Sequence, residues 1–239
     1  MDTVTAIEPG IGGAGLLRLL AWLSPSFPVG AFSYSHGLEY AVEHAVVTDA
    51  ETLEDWVGVI VAHGSGRVDA ALFLATHDAV RARDADLAAW ALEHGDAMRA
   101  TREFGVEAEG QGRAFMEAVS KSWPAAGIGW LADAAARLDR PVVYPVAVGA
   151  AAAAHDLPAR DALVGYLHAF AANIVSAGVR LIPLGQSDGL RVLAGLEPLI
   201  LRAAAAALER PRADIGAATV MADWASASHE TQYTRLFRS

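Results

Sequence analysis

The sequence predicts an all-α fold, a single-domain bundle of about ten helices. Three observations lead there. Apolar residues recur at helical offsets, most plainly Leu53, Trp56, Val57, Ile60 and Val61 at 0, 3, 4, 7 and 8. No segment shows sustained alternation enriched in β-branched and aromatic residues, the mark of a half-buried strand. Proline and glycine fall mainly between the periodic segments. The 239 residues, 54% apolar and 19% charged, are ample for a hydrophobic core. Much of the apolar share is alanine, which favours helix and close helix approach but adds little burial energy per residue.

Residues 1–15 read as a flexible lead, and 16–227 as one helical domain with no internal repeat. "LLRLLAWL" (16–23) is a short helix that ends at Ser24-Pro25. The Pro-Val-Gly turn at 28–30 launches a helix from Phe32 to about Val46. Thr48, Asp49, Ala50 and Glu51 form a capping-box pattern, a hydroxyl facing forward and a glutamate reaching back. The helix they start runs to the "HGSG" break at 63–66. Helices follow over 67–84 and 84–98, then a long one over 96–121. Arg99, Arg102, Glu109 and Arg113 fall close to one face of it, with Glu109 and Arg113 in the favourable i, i+4 order.

"SWPAAGIG" is a loop, and "WLADAAARL" (130–138) a short helix. Pro141 and Pro145 bracket a connector before an alanine-rich helix over 146–155. Pro158 sits in the first turn of the next helix, an allowed place. Leu163, Tyr166, Leu167, Phe170, Ile174 and Leu181 hold one face of it until Pro183. Asp188 or Ser187 can cap a helix over 189–209 that is apolar nearly all round in its second half and so expected to be central, kinked at Pro198. A last helix covers 213–226, and "SHETQYTRLFRS" (228–239) ends the chain.

Composition excludes several functions. Net charge is −10, Lys121 is the one lysine and arginines are scattered, which argues against nucleic acid. Without cysteine there is no disulfide, thiol nucleophile or cysteine metal site. The acidic, Pro- and Gly-broken N-terminus lacks the regions of a signal peptide. The run 141–154 carries two prolines and is too short to span a bilayer. A cytoplasmic protein is expected, with no membrane partner.

No Walker A loop precedes Lys121, so a phosphate cradle of that type is excluded. "EGQGR" (109–113) is glycine-rich but mid-helix, where Gly110 and Gly112 suit close helix packing better than a phosphate. The eight histidines form neither H-x-H nor H-E-x-x-H. His36 and His44, two turns apart on one helix, would lie about 12 Å apart along the axis, too far to share an ion. Ser33 and His36 stand at i, i+3, but no G-x-S-x-G elbow and no nearby aspartate support a hydrolase.

Recognition remains. Phe27, Phe32, Tyr34 and Tyr40 cluster around the proline turn, either capping the core or meeting a partner. The tail sets Tyr233, Leu236 and Phe237 beside Arg235 and Arg238, residue types enriched at interface anchors. Three large apolar groups so near the end suit a segment that docks, on its own body or on another chain.

Four stretches, in order, closely resemble the UreF family of urease accessory proteins. They are "SPSFPVGAFSYSHGLE", "TREFGVEAEGQGRAF" with the family's R-E-x-x-x-x-x-x-x-Q-G pattern, "VSAGVRLIPLGQSDGLRVLAGLEPLI" and "SHETQYTRLFRS". The resemblance runs from about residue 16 to the end. It implies an all-helical, homodimeric, non-enzymatic protein that binds UreD (UreH in some organisms) and the nickel-binding GTPase UreG. That complex docks on apo-urease (UreABC), and nickel arrives through UreE. Nickel and GTP are then handled by partners, with no cofactor bound tightly here. The resemblance also implies that the tail orders on UreD and that an aromatic of "PVGAFSYS" shapes the platform for UreG. The candidate partner-binding residues are Phe32, Tyr34, His36, His229, Glu230, Tyr233, Arg235, Leu236 and Phe237. The rival is a catalytic regulator that lends an arginine finger, Arg235 or Arg102, to UreG.

Overall fold

A computed structural model describes residues 10–239. Among them are eleven α-helices and no strand. They are α1 (Gly13–Trp22), α2 (Leu38–Glu43), α3 (Ala50–His63), α4 (Ser65–Ala82), α5 (Ala85–Ala97), α6 (Arg102–Ser122), α7 (Ala126–Leu138), α8 (Tyr144–Ala154), α9 (Ala159–Leu181), α10 (Gln186–Glu209) and α11 (Val220–His229). Short 3-10 turns lie at Ala31–Ser33 and Arg212–Asp214. Residues 1–9 of the expected lead fall outside the described residues. The first helix begins at Gly13, before the expected Leu16, and just ahead of it the Ile11 N–H donates to Asp161 at 2.8 Å.

The centre of the bundle is α8, not α10 as its apolar second half suggested. Every α8 residue from Pro145 to Ala153 is buried, against α4, α5, α6, α7 and α9. Alanine makes this possible by bringing backbones together. A Cβ on Gly149 would lie 2.5 Å from the Phe73 carbonyl of α4. Helix α10 instead packs one face, Val192, Leu196, Ile200, Ala204 and Ala207, on α9 and α3, and leaves Leu190, Leu201 and Leu208 exposed. Pro198 sits inside it without ending it.

Other expectations shift as well. The helix over 32–46 does not form: His36 and Gly37 both take left-handed φ, 56° and 77°, so α2 is only six residues long. His36 and His44 therefore do not share a helix. The cap of α3 is Asp49, one residue beyond Thr48. Its carboxylate accepts the Thr52 N–H, while the Thr52 hydroxyl oxygen accepts the Asp49 N–H. The last helix starts at Val220: residues 215–219 are not helical, and the Ala218 N–H donates to the His63 carbonyl. Two apolar stretches are longer than the run 141–154. Ala50–Ala82, which spans α3 and α4, and Ala159–Leu181 are long and apolar enough to cross a bilayer, yet half or more of each is buried in the bundle.

Polar ties fix the helices to one another. Arg99 Nη1 donates to Asp69 Oδ1 at 2.8 Å, and Tyr166 Oη to Asp69 Oδ2 at 2.6 Å, joining α4 to α9. Burial, then the Asp69 charge, pushes the Tyr166 phenol well above its usual range. Thr101 caps α6 by accepting the Phe104 N–H and also meets the Ser226 hydroxyl of α11 at 2.7 Å. Thr101→Val keeps the shape but loses both, and should cost about 1–2 kcal/mol. Guanidinium denaturation checks this; an unchanged midpoint would show that the cap carries no load.

Candidate functional site

Backbone geometry builds a seat for the tail. Gly30, at φ 75°, turns the chain into the 3-10 turn at Ala31–Ser33. Gly37 then lets α11 come close: a Cβ there would lie 3.0 Å from the Ser226 nitrogen, in a φ that side chains resist. This bend sets Glu39 in the first turn of α2, buried and facing inward. From α6, Glu103, Glu107 and Gln111 present a stripe at i, i+4 and i+8 to the same place, all buried.

The tail leaves α11 at His229 and lies along residues 33–35. The Arg238 N–H donates to the Ser33 carbonyl at 2.8 Å, and the Ser35 N–H to the Ser239 main-chain oxygen at 2.7 Å. The Ser35 hydroxyl donates to that same oxygen. Glu39 accepts the Leu236 N–H at 2.6 Å and the Phe237 N–H at 2.8 Å. His229 sits between Glu103 (2.8 Å) and Glu39 (3.2 Å). Arg235 pairs with the other oxygen of Glu103 at 3.0 Å. Glu107 accepts the Ser239 hydroxyl at 2.9 Å and the Gln111 amide at 3.2 Å, with His36 Nδ1 at 3.3 Å. From α9, the Arg180 guanidinium lies 4.4 Å from the Phe237 ring centre and donates to the Phe32 carbonyl at 2.8 Å.

Electrostatics follow from burial. Desolvation raises the Glu103 carboxyl above its ordinary range, opposed by the His229 hydrogen bond and the His229 and Arg235 charges. Desolvation also raises Asp223 and lowers Arg180.

The two stretches singled out by sequence thus form one surface, and the candidate residues divide within it. Phe32 (68% exposed), Leu236 (68%) and Tyr233, wholly exposed, face outward. Arg235 and the half-buried Glu230 line a groove of about 220 Å³ with Arg102, Glu103, Val106 and Arg238. Tyr34, His36, His229 and Phe237 are buried and hold the tail and its seat in place. Of the other ring residues, Phe27 packs on Phe115 and Trp123, and Tyr40 stacks on His44 with Trp224 at its edge.

Sequence reasoning missed Glu39, Glu103, Glu107 and Arg180. The two α6 acids leave a signal only in their spacing with Gln111, one residue per turn on a single face. Glu109 and Arg113 of the charged stripe both point to solvent.

The Ser33–His36 pairing does not form. The Ser33 hydroxyl donates to the Gly30 carbonyl, and His36 Nε2 meets Ser65 at 2.8 Å while its Nδ1 faces Glu107. Serine, histidine and carboxylate are in line, but His36 is stacked on Phe104 with ring centres 4.0 Å apart, and Phe170 covers its edge. The cavity that His36 and Glu107 line measures about 20 Å³, room for one water and no substrate. Among the described residues no three His, Cys, Asp or Glu side chains converge to hold a metal ion.

Comparison with known proteins agrees with the sequence motifs. The UreF family profile matches residues 47–197. The chain is 48% identical to the urease accessory protein UreF of Bradyrhizobium sp. (strain ORS 278) over 236 residues, covering 98% of this chain and 97% of that one. It is 47% identical to the urease accessory protein UreF of Rhodopseudomonas palustris (strain BisB5), over 95% of this chain and 92% of that one. Identity to the protein of the same name from Methylobacterium sp. (strain 4-46) is 47%, over 93% and 88%. With the all-helical bundle and four motifs in order, the chain belongs to the UreF family of urease accessory proteins.

Proposed function

We propose that this protein is a non-enzymatic adaptor in the assembly of the urease nickel centre. It would work in the cytoplasm as a homodimer, bridging UreD (UreH) and the GTPase UreG on apo-urease (UreABC). Nickel, delivered by way of UreE, and GTP would stay with those partners. The observation that carries this reading is the joint surface of the tail and the 28–36 stretch. Phe32, Tyr233 and Leu236 stand exposed on it with Arg235, while a buried network beneath spends its polar groups on holding them. Exposed aromatic and arginine side chains over a rigid base are what an interface anchor needs. The mechanism is conformational: a partner that favours the docked tail completes the surface that recruits the next.

Deleting 228–239, or replacing Arg235 with alanine, should leave a folded helical protein that no longer assembles with UreD and UreG. Co-purification from cells expressing all three reads this directly; full recruitment by the truncated chain would end the adaptor reading. Arg102, exposed beside Arg235 and Arg238 in the groove, favours one rival, an arginine finger acting on UreG. Single-turnover GTP hydrolysis by UreG separates the two. An arginine finger must raise the rate and lose that effect with Arg102→Ala, whereas an adaptor need not change it.

A further inference from the structure

His229 is wholly buried, and both of its ring nitrogens face carboxylate oxygens, Glu103 at 2.8 Å and Glu39 at 3.2 Å. A neutral imidazole owns a single N–H. Its other nitrogen is an acceptor, here set against an oxygen that is also an acceptor when the carboxyl is ionised. Buried, such a contact is repulsive and unrelieved by water. Both carboxylates are otherwise committed as acceptors, Glu39 to two tail N–H groups and Glu103 to Arg235. One further proton closes the count. It sits on His229, making both nitrogens donors, or on the Glu103 oxygen that faces the ring.

We propose that Glu39, His229 and Glu103 form a buried proton-binding site, and that its proton clasps the C-terminal tail to the body. The surrounding charges agree. From α2 the ring meets Glu39, with Glu43 a turn away engaged by Gln232. From α6 it meets Glu103, and the next acid, Glu107, is occupied by His36 and Ser239. The residue after its own helix adds Glu230, while Arg235 and Arg238 of the tail and Arg102 of α6 are the bases around Glu103. Acids outnumber bases here, which holds a proton in place. Burial raises the Glu103 carboxyl in the same direction.

When the tail lifts away, Glu39 loses the Leu236 and Phe237 N–H groups and Glu103 loses Arg235, and both carboxylates meet water, where they ionise without the shared proton. Docking near neutral pH and above then takes up close to one proton. The docked state binds the extra proton, so docking is complete at lower pH and weakens as pH rises, by up to about tenfold per unit.

Amide hydrogen exchange on the full chain tests this, read on the C-terminal peptide with Leu236 and Phe237 between about pH 6 and 9. After correction for the intrinsic rate, wild-type protection should fall with pH at the slope just given. Glu103→Gln should hold the tail with no pH slope. The new amide oxygen accepts from Arg235 and its NH₂ donates to the ring, so a neutral imidazole is satisfied. His229→Gln should also lose the slope. Nitrogen NMR of the wild-type His229 ring stands apart from either variant's folding, and should show a proton on both ring nitrogens or one shared with Glu103. Protection independent of pH, a slope that survives Glu103→Gln, or a tail unprotected at every pH would overturn the proposal. No partner is present, so the outcome is distinct from that of the adaptor reading.

Discussion

Gly112→Ala is expected to be among the most damaging single-methyl changes this protein can suffer. Gly112 lies inside α6, where it crosses the segment that leads into α8. An added Cβ would sit 2.0 Å from the Val142 carbonyl oxygen, 2.7 Å from the Val143 carbonyl carbon and 2.8 Å from the Tyr144 nitrogen. All three are backbone atoms, so no rotamer change relieves the clash. Either α6 moves outward, pulling Glu103, Glu107 and Phe115 with it, or the start of α8 shifts within the most buried part of the bundle. Overpacking typically costs about 1–3 kcal/mol, and a clash with three backbone atoms belongs at the top of that range, about 3 kcal/mol against a typical stability of about 5–15 kcal/mol. Thermal melting should fall by about 6–12 °C for a chain of this size. Gly129→Ala is the matched control. It lies on the exposed side of α7 with nothing within 4 Å of an added Cβ, and helix propensity predicts a gain of about 0.5–1 kcal/mol. If the two variants melt alike, the close approach at Gly112 is not what holds α6 to α8.

The sequence made the strongly patterned elements legible. Leu53, Val57, Ile60 and Val61 are all buried in α3, and Leu163, Tyr166, Leu167 and Ile174 in α9, because large apolar residues at helical spacing leave a readable face. It misplaced the centre because alanine leaves no such face. Helix α8 has no polar side to contrast with, and its burial comes from close backbone approach, which no residue count reveals. It also read a helix through His36, since a non-glycine residue with positive φ is fixed by its neighbours, here the ring stack on Phe104 and the bonds to Ser65 and Glu107. The candidate site was half legible. Aromatic and basic types marked the two stretches that meet. The acids that join them lie far from the tail in sequence, and only the folded chain brings Glu39 and Glu103 to His229.

That joining gives the second large effect. Glu39→Ala should detach the tail while leaving the helical bundle folded. One carboxylate accepts the N–H groups of Leu236 and Phe237 and faces the His229 ring, so its removal strands three donors at once. Hydrogen bonds to a charged group are worth about 1.5–3 kcal/mol each. A loss of even 3 kcal/mol shifts the docking equilibrium more than about 100-fold. The freed groups can reach water by peeling the tail away, so the cost is met locally and α3, α4, α8 and α9 keep their packing. Limited proteolysis should cut beyond His229 at sites that wild type protects, with unchanged far-UV circular dichroism. A tail equally protected in both proteins would show that Glu39 is not its anchor. Glu39 is buried, whereas Phe32, Tyr233 and Leu236 are exposed and Arg235 lines the groove; all four remain in the variant. If partner recruitment is lost nonetheless, the requirement lies in how those side chains are held, since every one of them is still present.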